Sequence, residues 1–324
     1  MYVLKRLFQM IPVALVIIVM NFFLLKAAPG DMADVIAGEA GAATPEFMAA
    51  LRGQFGIDQP LPVQFGHYLR KIASLNLGWS FRANESVMHL IWGRLPATAL
   101  LVVSALLVAL VIGTSLGAWA ALTRRRWVEP VVSLFTTIGF ATPLFWVGLM
   151  LIVLFSVKLG WLPTGGLSDI TIDLQGPAHW LDAARHLVLP GACLSLYYLA
   201  VYARLMRASV LEVDRLDFVR TATAKGLSRW RVVLRHIVPN AMLSIVTMTG
   251  LQFGALLAGS ITIETVFAWP GLGQLALYAV TSRDVNLLLG ILLFSSFFVM
   301  LVNLLTDLLY SRLDPRIGEL GGRA

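Results

Sequence analysis

Six apolar stretches decide what this chain can fold into. Each is long enough to cross a bilayer, and none carries Asp, Glu, Lys, Arg or His at its centre. A helix needs about 20 apolar residues to span the hydrocarbon core. The stretches lie at roughly 8–26, 97–121, 131–157, 187–206, 241–263 and 286–309. They predict an all-α, polytopic integral membrane protein with about six transmembrane helices. Composition agrees, with 58% hydrophobic residues and only 13% charged, against about 25% charged in a soluble domain. The first stretch is apolar from Leu7 to Leu25, longer than the ~7–15 residues of a cleavable signal, so an uncleaved anchor is expected.

The net charge of +7 is explained by topology. Of 25 basic residues, 16 fall on one set of connections: Lys5 and Arg6, Arg124 to Arg126, the segment from Arg204 to Arg235, and Arg312, Arg316 and Arg323. Basic loops stay in the cytoplasm. This set and both termini are therefore expected to be cytoplasmic, and no nucleic-acid partner is needed. The other side carries a long first loop, about 27–96, with turns at Pro29-Gly30-Asp31 and Asp58-Gln59-Pro60-Leu61-Pro62 and short amphipathic segments between and after them.

Several chemistries are excluded or weakened. Cys193 is the single cysteine, so no internal disulfide forms. The histidines at 67, 89, 179, 186 and 236 make no metal-ligand pair within a helix turn. No GxxxxGK[ST] phosphate loop is present, so the chain does not hydrolyse ATP by that route. Ion-coupled carriers usually hold ionisable groups at membrane depth, and these spans have Arg204, Glu264 and Asp307 only near helix ends. Gly113-Thr114-Ser115-Leu116-Gly117 matches a hydrolase GxSxG pattern. That motif needs a strand-turn-helix elbow; within an apolar helix the two glycines are a packing face instead.

The fifth span is the polar one. It carries Thr247, Thr249, Gln252, Ser260 and Thr262, with Gly250 and Gly254 at GxxxG spacing. Such residues serve close helix packing or line a wet path. Thr142, Thr247, Gln252 and Ser260 are the candidate path residues. Pro143 removes a backbone donor and predicts a kink in span three.

The loop between spans four and five is the most informative segment. Phe218 to Lys225 predicts a short helix, Gly226 a left-handed terminator, and Ser228 an N-cap. A second helix follows, with Trp230, Val233, Leu234 and Ile237 at i, i+3, i+4 and i+7. Pro239 marks the approach to span five. A basic helical knob with an apolar stripe suits anionic lipid or a groove on a soluble partner.

Phe218-Val219-Arg220-Thr221-Ala222-Thr223-Ala224-Lys225-Gly226-Leu227, with Pro239 thirteen residues after Gly226, resembles the coupling loop of ABC-importer permeases, and is most similar to the dipeptide/oligopeptide permease family. Gly56-Ile57-Asp58-Gln59-Pro60-Leu61-Pro62, Leu77-Gly78-Trp79-Ser80-Phe81, Arg94-Leu95-Pro96-Ala97-Thr98, Pro143-Leu144-Phe145-Trp146, Leu159-Gly160-Trp161-Leu162-Pro163, Glu264-Thr265-Val266-Phe267-Ala268-Trp269-Pro270-Gly271-Leu272-Gly273 and Leu313-Asp314-Pro315-Arg316 extend the resemblance along nearly the whole chain. Arg220-Thr221-Ala222 replaces the general Glu-Ala-Ala, as in the peptide subfamily, and Met32 stands where the family often has proline.

The resemblance implies a type I ABC importer permease fold. An anchor helix and outer loop would occupy 1–96, the permease domain 97–310 with its coupling loop at about 207–240, and a cytoplasmic tail 311–324. It implies a homologous second permease chain, two ABC ATPase subunits and a periplasmic or lipid-anchored solute-binding protein, in a bacterial or archaeal inner membrane. No cofactor is expected on this chain; ATP and Mg belong to the ATPases. Arg220, Thr221, Ala222, Lys225, Gly226, Leu227 and Pro239 would couple to them. Glu264, Phe267, Trp269, Pro270 and Gly271 would form an outer gate or docking element, or a loop with Trp269 at the membrane interface. The implied cargo is a peptide, with glutathione, a nickel chelate or an opine as related possibilities and a secondary carrier as the other class.

Overall fold

The computed structural model describes residues 2–27, 44–55, 58–123, 125, 127–169 and 176–313. The turn at Pro29-Gly30-Asp31, Met32, Gly56-Ile57 and Asp314-Pro315-Arg316 lie outside them. The chain forms two compact units, Met1–Arg94 with Leu275–Leu301, and Leu95–Gln274 with Val302–Ala324.

The elements run α1 Tyr2–Ala27, α2 Pro45–Phe55, α3 Leu61–Ala73, a hairpin of β1 Trp79–Ser80 and β2 Glu85–Ser86, α4 Val87–Leu122, α5 Val128–Ala141, and α6 Leu144–Leu151 continuing as a π-helical stretch Ile152–Lys158. Then come α7 Pro177–Val213, α8 Asp217–Ala224, α9 Arg229–Val232 with a π-helical stretch Val233–Ile237, α10 Val238–Val266, α11 Leu272–Thr281 and α12 Val285–Leu313. Among the described residues, five helices are long and apolar enough to cross a membrane, and α5 with α6 makes a sixth if the bent pair is one span.

In the first unit, polar bonds fasten the outer-loop elements to two long helices. Asn21 of α1 donates to the Leu289 carbonyl at 3.1 Å and accepts from the Tyr68 hydroxyl of α3 at 2.6 Å. Burial pushes the Tyr68 phenol up to about 12. Phe22 packs edge-on against Phe65. Asp284 caps α12 through the Leu287 amide at 3.0 Å, and the buried Ser80 hydroxyl donates to its other oxygen. Thus the Leu77-Gly78-Trp79-Ser80-Phe81 motif pins the hairpin to a helix start.

In the second unit, α7 is the central element. Cys193, Leu194, Tyr202, Met206 and Val210 are fully buried in one continuous core. The Cys193 thiol donates to the Leu144 carbonyl at 3.4 Å, as a small buried side chain. The two glycines of the GxSxG match lie inside α4 and pack on α7. A Cβ at Gly113 would stand 2.8 Å from the Leu199 carbonyl oxygen, and one at Gly117 would fall inside contact with the Ala203 carbonyl oxygen. Gly117→Ala therefore costs about 1–3 kcal/mol through backbone displacement, to be measured as a lower unfolding temperature of the purified chain in detergent. Gly53→Ala, inside a helix and with open space around its Cβ, leaves that temperature unlowered.

Two expectations need correction. Span three is broken, not kinked. α5 and α6 meet at 102° across Thr142 and Pro143. Thr142 is extended at φ −82, ψ 130, because the proline ring disfavours a helical residue before it, and the proline supplies no amide to bridge the gap. Span two begins ten residues earlier than expected, at Val87, with Pro96 inside the helix. Polar residues at His89 and Arg94 masked its first turns.

Candidate functional site

The knob between α7 and α10 is built as two short helices around a left-handed glycine turn. α8 ends in a Schellman arrangement. The Leu227 amide donates to the Ala222 carbonyl at 3.4 Å and the Gly226 amide to Thr223 at 3.0 Å. Gly226 sits at φ +78, where a side chain costs about 1–2 kcal/mol. Ser228 occupies the N-cap position in extended conformation but makes no side-chain cap bond.

Packing divides the knob. Val219, Ala222, Val232, Val233 and Ile237 are buried, in the same core as Val210 and Val213 at the end of α7. Trp230, Leu234 and Phe218 are exposed, at 72%, 63% and 42%. The expected single stripe is therefore split: Val233 and Ile237 face inward while Trp230 and Leu234 face outward. The cause is the π-helical winding of Val233–Ile237, whose i→i+5 bonds change the angular step. Pro239, the second residue of α10, cannot donate to Arg235, which favours that loosening.

The predicted coupling residues separate accordingly. Arg220, Thr221, Lys225, Gly226 and Pro239 are exposed, Leu227 is half-buried and Ala222 is buried. Ala222 thus holds the knob together. Arg220 lies 3.7 Å from Asp217, and the Thr221 hydroxyl bonds back to the Asp217 carbonyl at 2.9 Å. An ion pair that the sequence did not reveal closes the base: both terminal nitrogens of Arg229 bond the two oxygens of Asp214, at 2.8 and 3.2 Å. The partners are 15 residues apart, outside any helical spacing rule.

Glu264 to Gly273 forms a buried knot. Glu264 Oε1 accepts from Thr98 at 2.7 Å and Ser260 at 3.3 Å. Oε2 accepts from the amides of Gly273 at 2.6 Å and Gln274 at 3.2 Å, the first turn of α11, where a helix offers free N–H groups. Thr98 in turn accepts from the Leu272 amide at 2.7 Å. Trp269 Nε1 donates to the Ala97 carbonyl at 2.8 Å, and the Phe267 carbonyl accepts from the Gly166 amide at 2.8 Å. Glu264, Phe267, Trp269 and Gly271 are buried and Pro270 is half-buried. Trp269 is therefore a core residue, not an interfacial one, and of this segment only Thr265 and Ala268 are exposed.

The four path candidates occupy different settings. Ser260 belongs to the knot. Thr247 and Gln252 lie five residues apart on α10, about 140° around a helix. Thr247 is exposed and Gln252 half-buried. Thr142 sits at the break and, like Thr247, spends its hydroxyl on its own helix, at 2.7 Å to Ile138 and 3.1 Å to Leu243. Gly250 packs directly on Thr306 of α12. Among the described residues no group of three or more His, Cys, Asp or Glu is placed to hold a metal ion.

Residues 113–319 match the family described as "Binding-protein-dependent transport system inner membrane component". Residues 1–102 match its N-terminal companion, "Binding-prot-dependent transport system membrane comp, N-term". The chain belongs to the binding-protein-dependent transport inner-membrane component family. Relatives include a putative peptide transport system permease protein of Brucella abortus, 38% identical over 97% of this chain and 98% of that protein. The dipeptide transport system permease protein DppB of Alkalihalophilus pseudofirmus is 36% identical over 98% of each chain. The di/tripeptide permease DppB of Pseudomonas aeruginosa is 38% identical, again over 98% of each. Among solved structures, an inward-facing MetNI methionine ABC transporter chain shares the fold, with TM-score 0.56 at 18% identity over 70% of this chain and 97% of that one. The protein is thus a multi-pass inner-membrane permease component of an ABC importer, a class that works with ATPase and solute-binding partners.

Proposed function

We propose that this permease imports peptides, pairing with a homologous second permease chain above two ATPases, with a periplasmic or lipid-anchored binding protein delivering the cargo. Nearly full-length similarity to permeases named for peptides and dipeptides supports the cargo. The concentration of basic residues on one set of connections supports cytoplasmic termini and a cytoplasmic knob.

One observation carries the mechanism: a two-helix knob whose inner residues join the core of α7 and which exposes Trp230, Leu234 and Phe218 together with the basic Arg220 and Lys225. An apolar ridge with basic flanks fits a groove on a soluble subunit. ATP binding and hydrolysis, with Mg held by the ATPases, favour one arrangement of that groove over another, and differential binding of the knob shifts the permease between access states.

The test is ATP-driven uptake of labelled di- and tripeptides by proteoliposomes containing both permeases and ATPases, with the cognate binding protein added. Gly226→Val forces a β-branched residue to φ +78. It should reduce uptake at least fivefold while the chain accumulates normally in the membrane. Wild-type rates in that variant contradict the coupling role; uptake of some other solute class contradicts the cargo.

A further inference from the structure

The exposed ridge explains how a partner grips the knob, but not how the grip reaches the spans. Two routes lead out of the knob. One is the helical path from α9 through Val233–Ile237 into α10. The other is the turn 214–216 into α7, the helix on which α5, α6 and α10 pack and against which the α4 glycines close. Force delivered to α7 therefore reaches most of the second unit.

Turns are compliant, and this route has two in series. Asp214 to Leu216 closes the end of α7, and Lys225 to Ser228 separates α8 from α9. Around Gly226 there is nothing within 4 Å of a Cβ position, so packing does not stiffen that turn. The Asp214–Arg229 pair spans both. Asp214 is the C-cap of α7 and Arg229 the first residue of α9. Their two parallel bonds tie the far end of the excursion back to its start, with α8 enclosed between them. A forked pair of this kind fixes orientation as well as distance. Asp214 and Arg229 are 34% and 57% exposed, and pairs so exposed add little to stability. Their geometry, not their energy, is the useful property.

We infer that the Asp214–Arg229 pair is a clasp at the neck of the knob, positioning it on α7 so that movement of the ATPases is delivered to that helix. The inference rests on the knob being the ATPase contact. The experiment uses the complete reconstituted complex and reads three quantities: ATPase subunits retained on purification, ATP hydrolysis stimulated by liganded binding protein, and peptide imported per ATP hydrolysed. Asp214→Arg and Arg229→Asp each retain the ATPases and continue to hydrolyse ATP, but import per ATP falls at least fivefold. The double exchange, Asp214→Arg with Arg229→Asp, restores the opposite charges and returns the ratio to within twofold of wild type. Asp214→Asn, which adds no repulsion, gives an intermediate ratio.

Unchanged import per ATP in the single variants overturns the clasp. So does failure of the double exchange to recover the ratio when its membrane level is normal. Loss of ATPase retention in the single variants also overturns it, because the pair would then belong to the contact itself. A wild-type chain that retains no ATPase refutes the underlying function instead, a result visible before any variant is made.

Discussion

Glu264→Ala eliminates import and lowers the amount of chain recovered from the membrane, whereas Glu264→Gln keeps most of both. The knot explains the difference. Removing the carboxyl group strands the Gly273 and Gln274 amides and frees the Thr98 and Ser260 hydroxyls inside a fully buried site. A buried donor left without a partner costs about 1–3 kcal/mol, so the loss is roughly 3–5 kcal/mol. That is a large share of the marginal stability of a folded domain. Glutamine can turn its carbonyl to the two amides and its NH2 to the hydroxyls, which accept as well as donate. Membrane level by immunoblot and thermal unfolding in detergent measure the effect. A Glu264→Ala chain as abundant and as stable as wild type means the knot does not hold α10, α11 and α4 together.

The second large effect leaves the fold intact. Trp230→Glu combined with Leu234→Glu places two carboxylates on the ridge proposed to enter the ATPase groove. Both side chains are mostly exposed, so the chain itself should fold and insert at wild-type levels. Desolvating unpaired charges at a contact costs several kcal/mol, and tenfold in affinity is about 1.4 kcal/mol. ATPase retention should therefore fall at least a hundredfold and import should vanish. Val233→Glu is the contrasting variant: that residue is buried, and its change should destabilise the chain. A doubly substituted ridge that still retains ATPases would place the contact elsewhere.

Much of this was legible before the structure. Long apolar runs identify spans because lipid leaves the backbone few alternatives to a helix, and the positions of spans one and six follow from them. The helix of span four, by contrast, begins ten residues before the expected 187, at Pro177, and the membrane-length apolar segment of span five is Arg229–Gly250. Gly226 was readable because a left-handed helix terminator strongly favours glycine, and the observed φ of +78 is that conformation. Gly113 and Gly117 were readable as packing residues from their spacing inside an apolar helix. The break at Thr142–Pro143 was only half legible. Proline announces a missing donor, but the 102° turn depends on what the second half packs against, including Gly148 on Val266 and Phe267. The split of Trp230 and Leu234 from Val233 and Ile237 was hidden because a 3.6-residue period was assumed across a π-helical stretch.

The knot was least legible. Glu264 and Thr98 are 166 residues apart, and no local pattern links them. An acid beside two aromatics and a Pro-Gly turn looks like an exposed functional loop. Burial reverses that impression, because each polar group in it is occupied by another. Asp214 and Arg229 escaped notice for a similar reason: their separation matches no helical period.

A photoreactive side chain at position 230 tests the central claim most directly, with one at position 180 as its counterpart. Trp230 and Trp180 are both highly exposed; Trp180 lies in the first turn of the 37-residue helix α7 and Trp230 in the knob that follows its far end, and the two ends of such a helix are about 55 Å apart. In the assembled, ATP-supplied complex, position 230 should cross-link to an ATPase subunit and position 180 should not. Cross-linking of an ATPase from position 180, or only lipid adducts from position 230, would contradict a knob that receives the driving force.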